Sequence, residues 1–202
     1  MALLSLTLGV STDASASRFG TLCQQDFENS WNEYREEAWK HCEKFNNELD
    51  NTDAKLFYHD LHGAKLYIEE TYDQLYPETV DLFYIATHGS VTSDGNASRW
   101  SMWDEQTRAF STAMRLGDEA AGLSILASWA CHTHQKSDGK LITRLRNIFR
   151  GGLKYSVGSH GTLHHGRDTN ECGEEFADNL QDGEKIKYAW RDALQEPWVE
   201  ND

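Results

Sequence analysis

The sequence predicts an α/β fold with a mainly parallel central sheet, and two observations support this prediction. Short apolar runs of strand-forming residues, VDLFYIAT at 80–87 and LSILASWA at 123–130, are typical of strands buried on both faces. Segments with helical spacing of apolar residues lie between and after such runs, and this alternation implies parallel strands with helices on both faces of the sheet. Binding and catalytic groups of such sheets gather at the carboxyl ends of the strands.

The other elements follow from the same periodicities and from turn residues. The first half predicts a strand at 3–10, a loop at 11–20, a helix at 26–49, a strand at 55–59 and a helix or helical turn at 64–76. The second half predicts loops or a small hairpin at 90–117, a crossover helix at 136–150, a strand at 153–157 and helical segments at 174–180 and 184–194. We expect a single domain over residues 1–202, because no linker composition interrupts the chain.

The charge balance argues against two classes of partner. The chain has 19 Lys+Arg against 33 Asp+Glu, a formal net charge of -14. Such a field repels phosphate backbones and anionic lipid headgroups, so we expect neither nucleic acid nor a membrane as partner. A basic peptide or protein would be attracted, although strong acidity also serves solubility.

Cysteine usage predicts a reducing, cytoplasmic setting. The four cysteines, at 23, 42, 131 and 172, have irregular spacings that match neither a zinc motif nor a dense disulfide framework. The first 17 residues imitate a signal peptide but have no basic start and include Asp13, so secretion is the less favoured alternative. No apolar run approaches the ~18 residues of a membrane-spanning helix.

An imidazole and a thiol follow the two buried strands. His88 comes directly after the first strand and Cys131 directly after the second. A thiol needs a nearby base to become a thiolate, and an imidazole can take that proton and later protonate a leaving amine. Gly89 lets a backbone N–H approach a reacting carbonyl, so the N–H groups of Gly89 and Cys131 are a candidate oxyanion hole.

Each of these residues alone also has an ordinary structural interpretation. A cysteine after an apolar strand is usually a small buried residue, and a His-Gly pair is usually a turn. Their joint placement at the ends of strands of one predicted sheet is what favours catalysis.

The segments DLFYIATHG and LSILASWAC resemble a known pattern, in which a strand ending in His-Gly precedes a strand ending in Ala-Cys. This order is similar to that of the caspase, gingipain and legumain group of cysteine peptidases. The histidine lies 43 positions before the cysteine here, against about 50 in caspases. Caspases have Gln-Ala-Cys-x-Gly, whereas this chain has WACHT at 129–133, so caspase specificity for aspartate is not implied.

The end of the chain adds a second likeness. FRGGLKYSVGSHG and EEFADNLQDGEKIKYAWRDAL resemble the closing part of an uncharacterised caspase-like bacterial family, known only as a domain of unknown function. The resemblance covers about residues 80–194. It implies a three-layer α/β/α caspase-like sandwich with a catalytic dyad of Cys131 and His88.

Candidate substrate-contacting residues lie near the predicted strand ends. Peptidases of this group hold the side chain before the scissile bond in a pocket of such loops, which suggests Ser159, His160 and Asp94. A carboxylate at Asp94 or Asp168 would select Arg or Lys, although loop aspartates are more often only solvated. Trp129 is expected to wall the cleft unless it packs in the core. His160 is also an alternative to His88 as the base.

A group of soft and imidazole ligands near the cysteine raises zinc binding as an alternative. Because their spacings match no zinc motif, we expect no metal and no cofactor. The group comprises Cys131, His132, His134, His160, His164 and His165.

The sequence therefore predicts a cysteine hydrolase that acts on a peptide or protein through a Cys131 thioester, with His88 as general acid/base. Two alternatives stay open. The same dyad could transfer an acyl group or process a small amide, and a catalytically silent module could use the same cleft for binding. Substrate specificity, activation and oligomeric state stay open as well.

Overall fold

Two sheets organise the chain. The computed structural model describes residues 18–23, 35–49, 54–59, 68–69, 73–101, 108–118, 122–163, 169 and 171–195. The strands are β1 (Arg18–Cys23), β2 (Ala54–His59), β3 (Leu82–Ala86), β4 (Gly89–Val91), β5 (Ser98–Ser101), β6 (Arg108–Phe110), β7 (Ile125–Trp129) and β8 (Tyr155–Gly158). Five form a parallel sheet in the order β2-β1-β3-β7-β8, and β4-β5-β6 form a small antiparallel sheet. The predicted α/β class with parallel pairing is confirmed.

Helices cover one face of the parallel sheet. The helices are α1 (Arg35–Glu48), α2 (Leu141–Leu145), α3 (Glu171–Gln181) and α4 (Ile186–Gln195), with short 3-10 turns at Asp73–Leu75 and Pro77–Thr79. Tyr84 of β3 stacks on Phe45 of α1 at 4.9 Å between ring centroids, and Phe176 of α3 meets Trp190 of α4 at 5.0 Å. Burying each such ring stabilises the fold by about 2 kcal/mol, which anchors α1, α3 and α4 on this face.

The opposite face of the sheet packs against the small sheet and the segment around α2. Phe83 of β3 and Leu126 of β7 share a buried cluster with Trp100 of β5 and Ile148, which follows α2. Trp100 is fully buried, so β5 is fixed against the strands that lead to the candidate site. The stretch predicted as loops or a hairpin thus contains this sheet and lies over the parallel strands.

Two boundaries differ from the sequence prediction. The loop expected at 11–20 is wrong for residues 18–20, which begin β1, because pairing with β2 and β3 outweighs the low strand propensity of Gly20. The helix expected at 136–150 is reduced to α2, because the Asp138 carboxylate accepts a hydrogen bond from the Lys140 N–H at 3.0 Å and holds a turn there. The strand predicted at 3–10, and most of the helix predicted at 64–76, lie outside the described residues.

Cys23 and Cys42 form a disulfide, which the reducing setting predicted from the cysteine spacings did not anticipate. Cys23 ends β1 and Cys42 lies on α1, with a Cα–Cα distance of 6.0 Å, while Cys131 and Cys172 are not part of a disulfide. The spacing gave no sign of this pair because the contact depends on how α1 packs on β1. The cysteine-based argument for a reducing compartment therefore fails, and the cytoplasmic setting stays a prediction. Among the described helices, none has the length and apolar character needed to cross a membrane.

The disulfide predicts a stability difference that depends on its reduction. The bridge joins residues 19 positions apart, and closing such a loop in the unfolded chain is worth about 3 kcal/mol. A reducing agent should lower the free energy of unfolding by that amount in urea titrations of the native protein. The reducing agent should have no effect on Cys42→Ala but its full effect on Cys172→Ala. Equal titrations with and without reductant in the native protein would contradict the pairing.

Candidate active site

The register between β3 and β7 places His88 and Cys131 at one edge of the sheet. Ala86 faces Trp129 as the last pair of the ladder, and His88 and Cys131 each lie two residues further on. The Thr87 N–H donates to the Trp129 carbonyl oxygen at 3.1 Å, so the alignment continues beyond the ladder. Both His88 and Cys131 are partly exposed. The prediction that the two strands are neighbours is confirmed.

The backbone around His88 is held from the other side by β5. The Ser101 N–H donates to the His88 carbonyl oxygen at 2.8 Å, and the Thr87 hydroxyl donates to the Ser101 carbonyl oxygen. Thr87 is 1% exposed, so these bonds are shielded from water. His88 therefore extends from a backbone fixed by both sheets.

Gly89 packs directly on the backbone of Cys131. A Cβ atom on Gly89 would lie 2.4 Å from the Cys131 carbonyl oxygen and 2.8 Å from its nitrogen, closer than real Cβ atoms come. Gly89 faces Trp100, and the neighbouring residue pairs on either side form the hydrogen bonds between β4 and β5. Since such pairs alternate along an antiparallel ladder, the Gly89 N–H points away from β5. Only glycine permits this close approach of the two backbones.

The Cys131 thiol contacts the backbone of Leu163. The Leu163 N–H donates to Sγ at 3.3 Å, and the S–H can donate to the Leu163 carbonyl oxygen, also at 3.3 Å. The two contacts together hold the sulfur against the backbone of the 159–163 segment. Sequence reasoning missed Leu163, because its contribution is made by backbone atoms that carry no side-chain signal.

Residues 159–163 run antiparallel to the turn that contains Cys131. The His132 N–H donates to the Gly161 carbonyl oxygen and the His134 N–H donates to the Ser159 carbonyl oxygen, both at 2.9 Å. His132 has φ 57°, in the left-handed region that non-glycine residues seldom occupy. Such strain of about 1 kcal/mol is found where surrounding bonds fix the backbone, as they do beside this thiol.

A network of buried hydroxyl groups supports the turn at 131–134 from the side of the protein core. The Trp100 Nε1–H donates to Ser128 Oγ at 2.7 Å, and Ser128 Oγ lies 3.5 Å from Thr133 Oγ1. Thr133 Oγ1 donates to the Ala130 carbonyl oxygen at 3.1 Å, and Ser98 Oγ donates to the Thr133 carbonyl oxygen at 2.5 Å. The hydroxyls thus tie β5 and β7 to the residues that flank Cys131.

Arg144 of α2 supports the next part of this loop. The side chain is fully buried, and its guanidinium forms an ion pair with Asp138 at 2.6 Å and donates to the carbonyl oxygens of Gly95 and Gln135. The Arg144 hydrogen bond holds the pKa of Asp138 at about 2, so the pair stays charged at ordinary pH. The β4–β5 turn and the loop at 135–138 therefore meet on one cation.

Two histidines next to the thiol are shown to differ in character. His134 is 6% exposed, and its Nε2 is 2.8 Å from Ser156 Oγ. Burial, with smaller effects of His160 and Arg144, lowers the pKa of His134 to about 4. His160 is exposed, and its Nδ1 bonds to the His134 carbonyl oxygen. Because a carbonyl only accepts, His160 carries a proton on Nδ1.

Three of the predicted substrate contacts have other roles in the structure. Trp129 is 2% exposed and stacks on His41 at 4.5 Å, so its prediction as a cleft wall is wrong, because its strand position faces the helices. Asp94 caps the turn between β4 and β5 through Thr92 and Asn96, remote from His88 along the hairpin. Ser159 is 6% exposed, and its hydroxyl closes its own loop by bonding to Gly161. Asp168 lies outside the described residues.

The histidines around Cys131 do not converge on a metal position in the described residues. His132 Nε2 lies 3.1 Å from Thr162 Oγ1 and His134 Nε2 lies against Ser156, while residues 164–168 are outside the description. Asp73, Glu78 and Asp118 do place three ligand atoms within 4.8 Å of one another. Glu78, however, accepts hydrogen bonds from backbone N–H groups, and Asp118 pairs with Arg115 at 3.1 Å.

The close approach of Gly89 predicts that an added methyl group is harmful there. Gly89→Ala should push the turn of Cys131 outward, slow alkylation of Cys131 by about tenfold or more, and lower stability by about 1–3 kcal/mol. Gly161→Ala is the matched control, because a Cβ there meets nothing within 4 Å. Alkylation followed by peptide mapping and urea titration measures both effects. Equal behaviour of the two variants would show that Gly89 is only a turn residue.

The buried His134 predicts a loss of stability in acid. Its folded-state pKa of about 4 lies below its ordinary value of 6.5, so between these values the unfolded chain binds a proton that the folded chain does not. The free energy of unfolding should therefore fall by about 3 kcal/mol between pH 7 and pH 4 through this group. His134→Gln, which cannot titrate, should lose that part of the pH dependence in urea titrations. An unchanged pH profile would contradict a buried neutral imidazole.

Comparison with known proteins places the chain in a family without assigning an activity. No curated protein matches the chain. The family described as "Domain of unknown function (DUF6345)" matches residues 19–201. This range includes every residue of the candidate site, and both sheets except for Arg18 at the start of β1. On this match, the chain belongs to the DUF6345 family.

Proposed function

We propose that this protein is a caspase-like cysteine hydrolase, a peptidase in which Cys131 is the nucleophile and His88 the general acid/base. The observation that supports it most is the register of β3 and β7, which puts a free, partly exposed thiol and an imidazole at corresponding strand ends. A nucleophile and a base on neighbouring strands are the arrangement that thiol catalysis requires.

The proposed reaction proceeds through a thioester. His88 takes the proton from Cys131, and the sulfur attacks the carbonyl carbon of a peptide bond. The carbon–nitrogen bond then breaks, and the imidazolium gives its proton to the departing amine. Water, deprotonated by His88, hydrolyses the thioester and restores the thiol. The substrate in this proposal is a peptide or protein.

The backbone N–H groups of Gly89 and Cys131 would stabilise the tetrahedral oxyanion. Support comes from the close packing of Gly89 on the Cys131 backbone and from the Gly89 N–H, which points away from β5. Losing one donor of this kind typically costs about 3 kcal/mol of transition-state stabilisation. Their position depends on backbone packing alone, which explains why a glycine follows the histidine.

The proposal includes a three-layer α/β/α arrangement of the caspase type. Support comes from the parallel sheet with α1, α3 and α4 on one face and α2 with the small sheet on the other. The chain order of the histidine strand before the cysteine strand agrees with it.

A catalytically silent binding module is the second candidate, and the Leu163 contact favours it. The two contacts with Leu163 hold the sulfur against backbone atoms and place that backbone beside it. In this account the thiol is a structural link between the turn at 131–134 and residues 159–163. Reactivity of the thiol separates the two candidates.

Limiting iodoacetamide near neutral pH, followed by peptide mapping, tests the proposed dyad. Cys131 should be labelled before the buried Cys172, and His88→Ala should slow Cys131 labelling by about tenfold, because a free thiol is only a few per cent ionised at pH 7. His132→Asn is the matched control, since asparagine tolerates the left-handed backbone and His132 contacts Thr162. Equal rates in His88→Ala and the native protein would favour the silent module.

A further inference from the structure

His88 lies on the outer face of the small sheet. The bond from the Ser101 N–H to the His88 carbonyl oxygen extends the β4–β5 pairing by one residue, so His88 faces Ser101 just as Ser90 faces Arg99. Successive residues of a strand point to opposite faces. Since Trp100, between Ser101 and Arg99, is fully buried, the face shared with His88 is the outer one.

Two arginines occupy this outer face beside His88. Arg99 of β5 is a diagonal neighbour of His88, and Arg108 of β6 faces Ser101 on the side away from His88. Both are partly exposed. Strand spacing places the Arg108 backbone about 10 Å from that of His88, and long side chains can span such a gap.

The Arg99 guanidinium is held toward β4. Its Nε–H donates to Ser90 Oγ at 2.9 Å, two residues beyond His88 on the same face. This bond uses one of five donors and leaves the forked end of the group free for another acceptor. The orientation therefore directs the cation toward the strand that begins beside the candidate base.

Neither arginine has a carboxylate partner within the part of the chain that the structure describes. Burial first, and then the like charge of Arg108, lowers the pKa of Arg99 from its ordinary value. Arg99 faces Phe110 and Arg108 faces Ser101, so the two arginines are diagonal neighbours, and an anion between them would relieve their repulsion. In a chain with 33 acidic residues, two neighbouring arginines that form no ion pair among the described residues favour a bound anion.

We propose that Arg99 and Arg108 form a subsite beside His88 that binds a carboxylate group of the substrate. This inference rests on the proposed function, because it supplies specificity to that same site. A guanidinium fork matches a carboxylate in two parallel hydrogen bonds. The subsite would hold an acidic side chain or a chain end next to the scissile bond.

The overall charge and this local charge act over different ranges. The net charge of -14 attracts basic partners at a distance, but exposed charges are screened beyond about 10 Å at ordinary ionic strength. At contact, the two arginines determine which group is accepted. A substrate with an acidic residue on an otherwise basic surface would suit both the negative net charge and the local arginine pair.

A charged and a neutral alkylating reagent measure the local potential at Cys131 without any knowledge of the substrate. The quantity is the ratio of the Cys131 alkylation rates with iodoacetate and iodoacetamide, taken by peptide mapping. A change in thiol activation alters both rates and cancels in the ratio. In water, one positive charge about 9 Å from the sulfur speeds alkylation by the anionic iodoacetate about twofold. Two such charges therefore speed it about fivefold.

We expect the double variant Arg99→Gln/Arg108→Gln to lower this ratio about fivefold, and each single variant to lower it about twofold. Arg99→Lys should retain it, because the charge is kept. Arg146→Gln is the matched control, an exposed arginine at the end of α2, and should leave the ratio unchanged. Raising the salt concentration should lower the native ratio toward that of the double variant.

The two sets of variants test the arginine subsite and the Cys131–His88 dyad separately. If His88→Ala slows both reagents while the double variant leaves the ratio unchanged, the dyad holds and the carboxylate subsite is overturned. If the double variant lowers the ratio while His88→Ala has no effect on either rate, the cationic subsite is supported and the dyad fails. A control variant that lowers the ratio as much as the double variant would also overturn the subsite.

Discussion

The alignment of β3 with β7 is the constraint on which the rest of the candidate site depends. Their parallel pairing ends at Ala86 and Trp129, and each chain continues for two residues to a group that can do chemistry. A shift of one residue would turn one of these groups to the opposite face of the sheet. The register is in turn fixed by burial on both faces, with helices on one side and Trp100 with Ile148 on the other. Stability of the core and geometry of the site therefore have one physical origin.

Much of the parallel sheet could be predicted from the sequence, because apolar runs such as 80–87 report burial on both faces directly. The same runs located His88 and Cys131, since each run stops at a polar or reactive residue. The disulfide, the Leu163 contact and the shortened α2 could not be predicted, because they depend on packing between segments distant in sequence. Trp129 was misassigned for a related reason: alternation along β7 decides which face it occupies, and an unbroken apolar run hides that alternation.

The surroundings of Cys131 are built from polar groups that are almost all satisfied inside the protein. Hydroxyls of Ser128 and Thr133 fix the turn from within, and backbone bonds from 159–163 fix it from outside. Such a framework resists movement of the sulfur, because the buried hydroxyls of the turn form hydrogen bonds inside the protein. The arginines of the small sheet are the exception, since their charge is not balanced by described neighbours. Rigid support on one side and unbalanced charge on the other are the features expected of a site that positions a substrate.

A short bifunctional alkylating reagent tests the central claim, the juxtaposition of His88 and Cys131, most directly. 1,3-Dibromoacetone first alkylates a thiol and can then join it, through a three-carbon bridge, to an imidazole within reach. Peptide mapping of the treated protein should find Cys131 bridged to His88, and His88→Ala should leave Cys131 with a single-ended adduct. A bridge to His132 or His160, or no bridge in the native protein, would contradict the account.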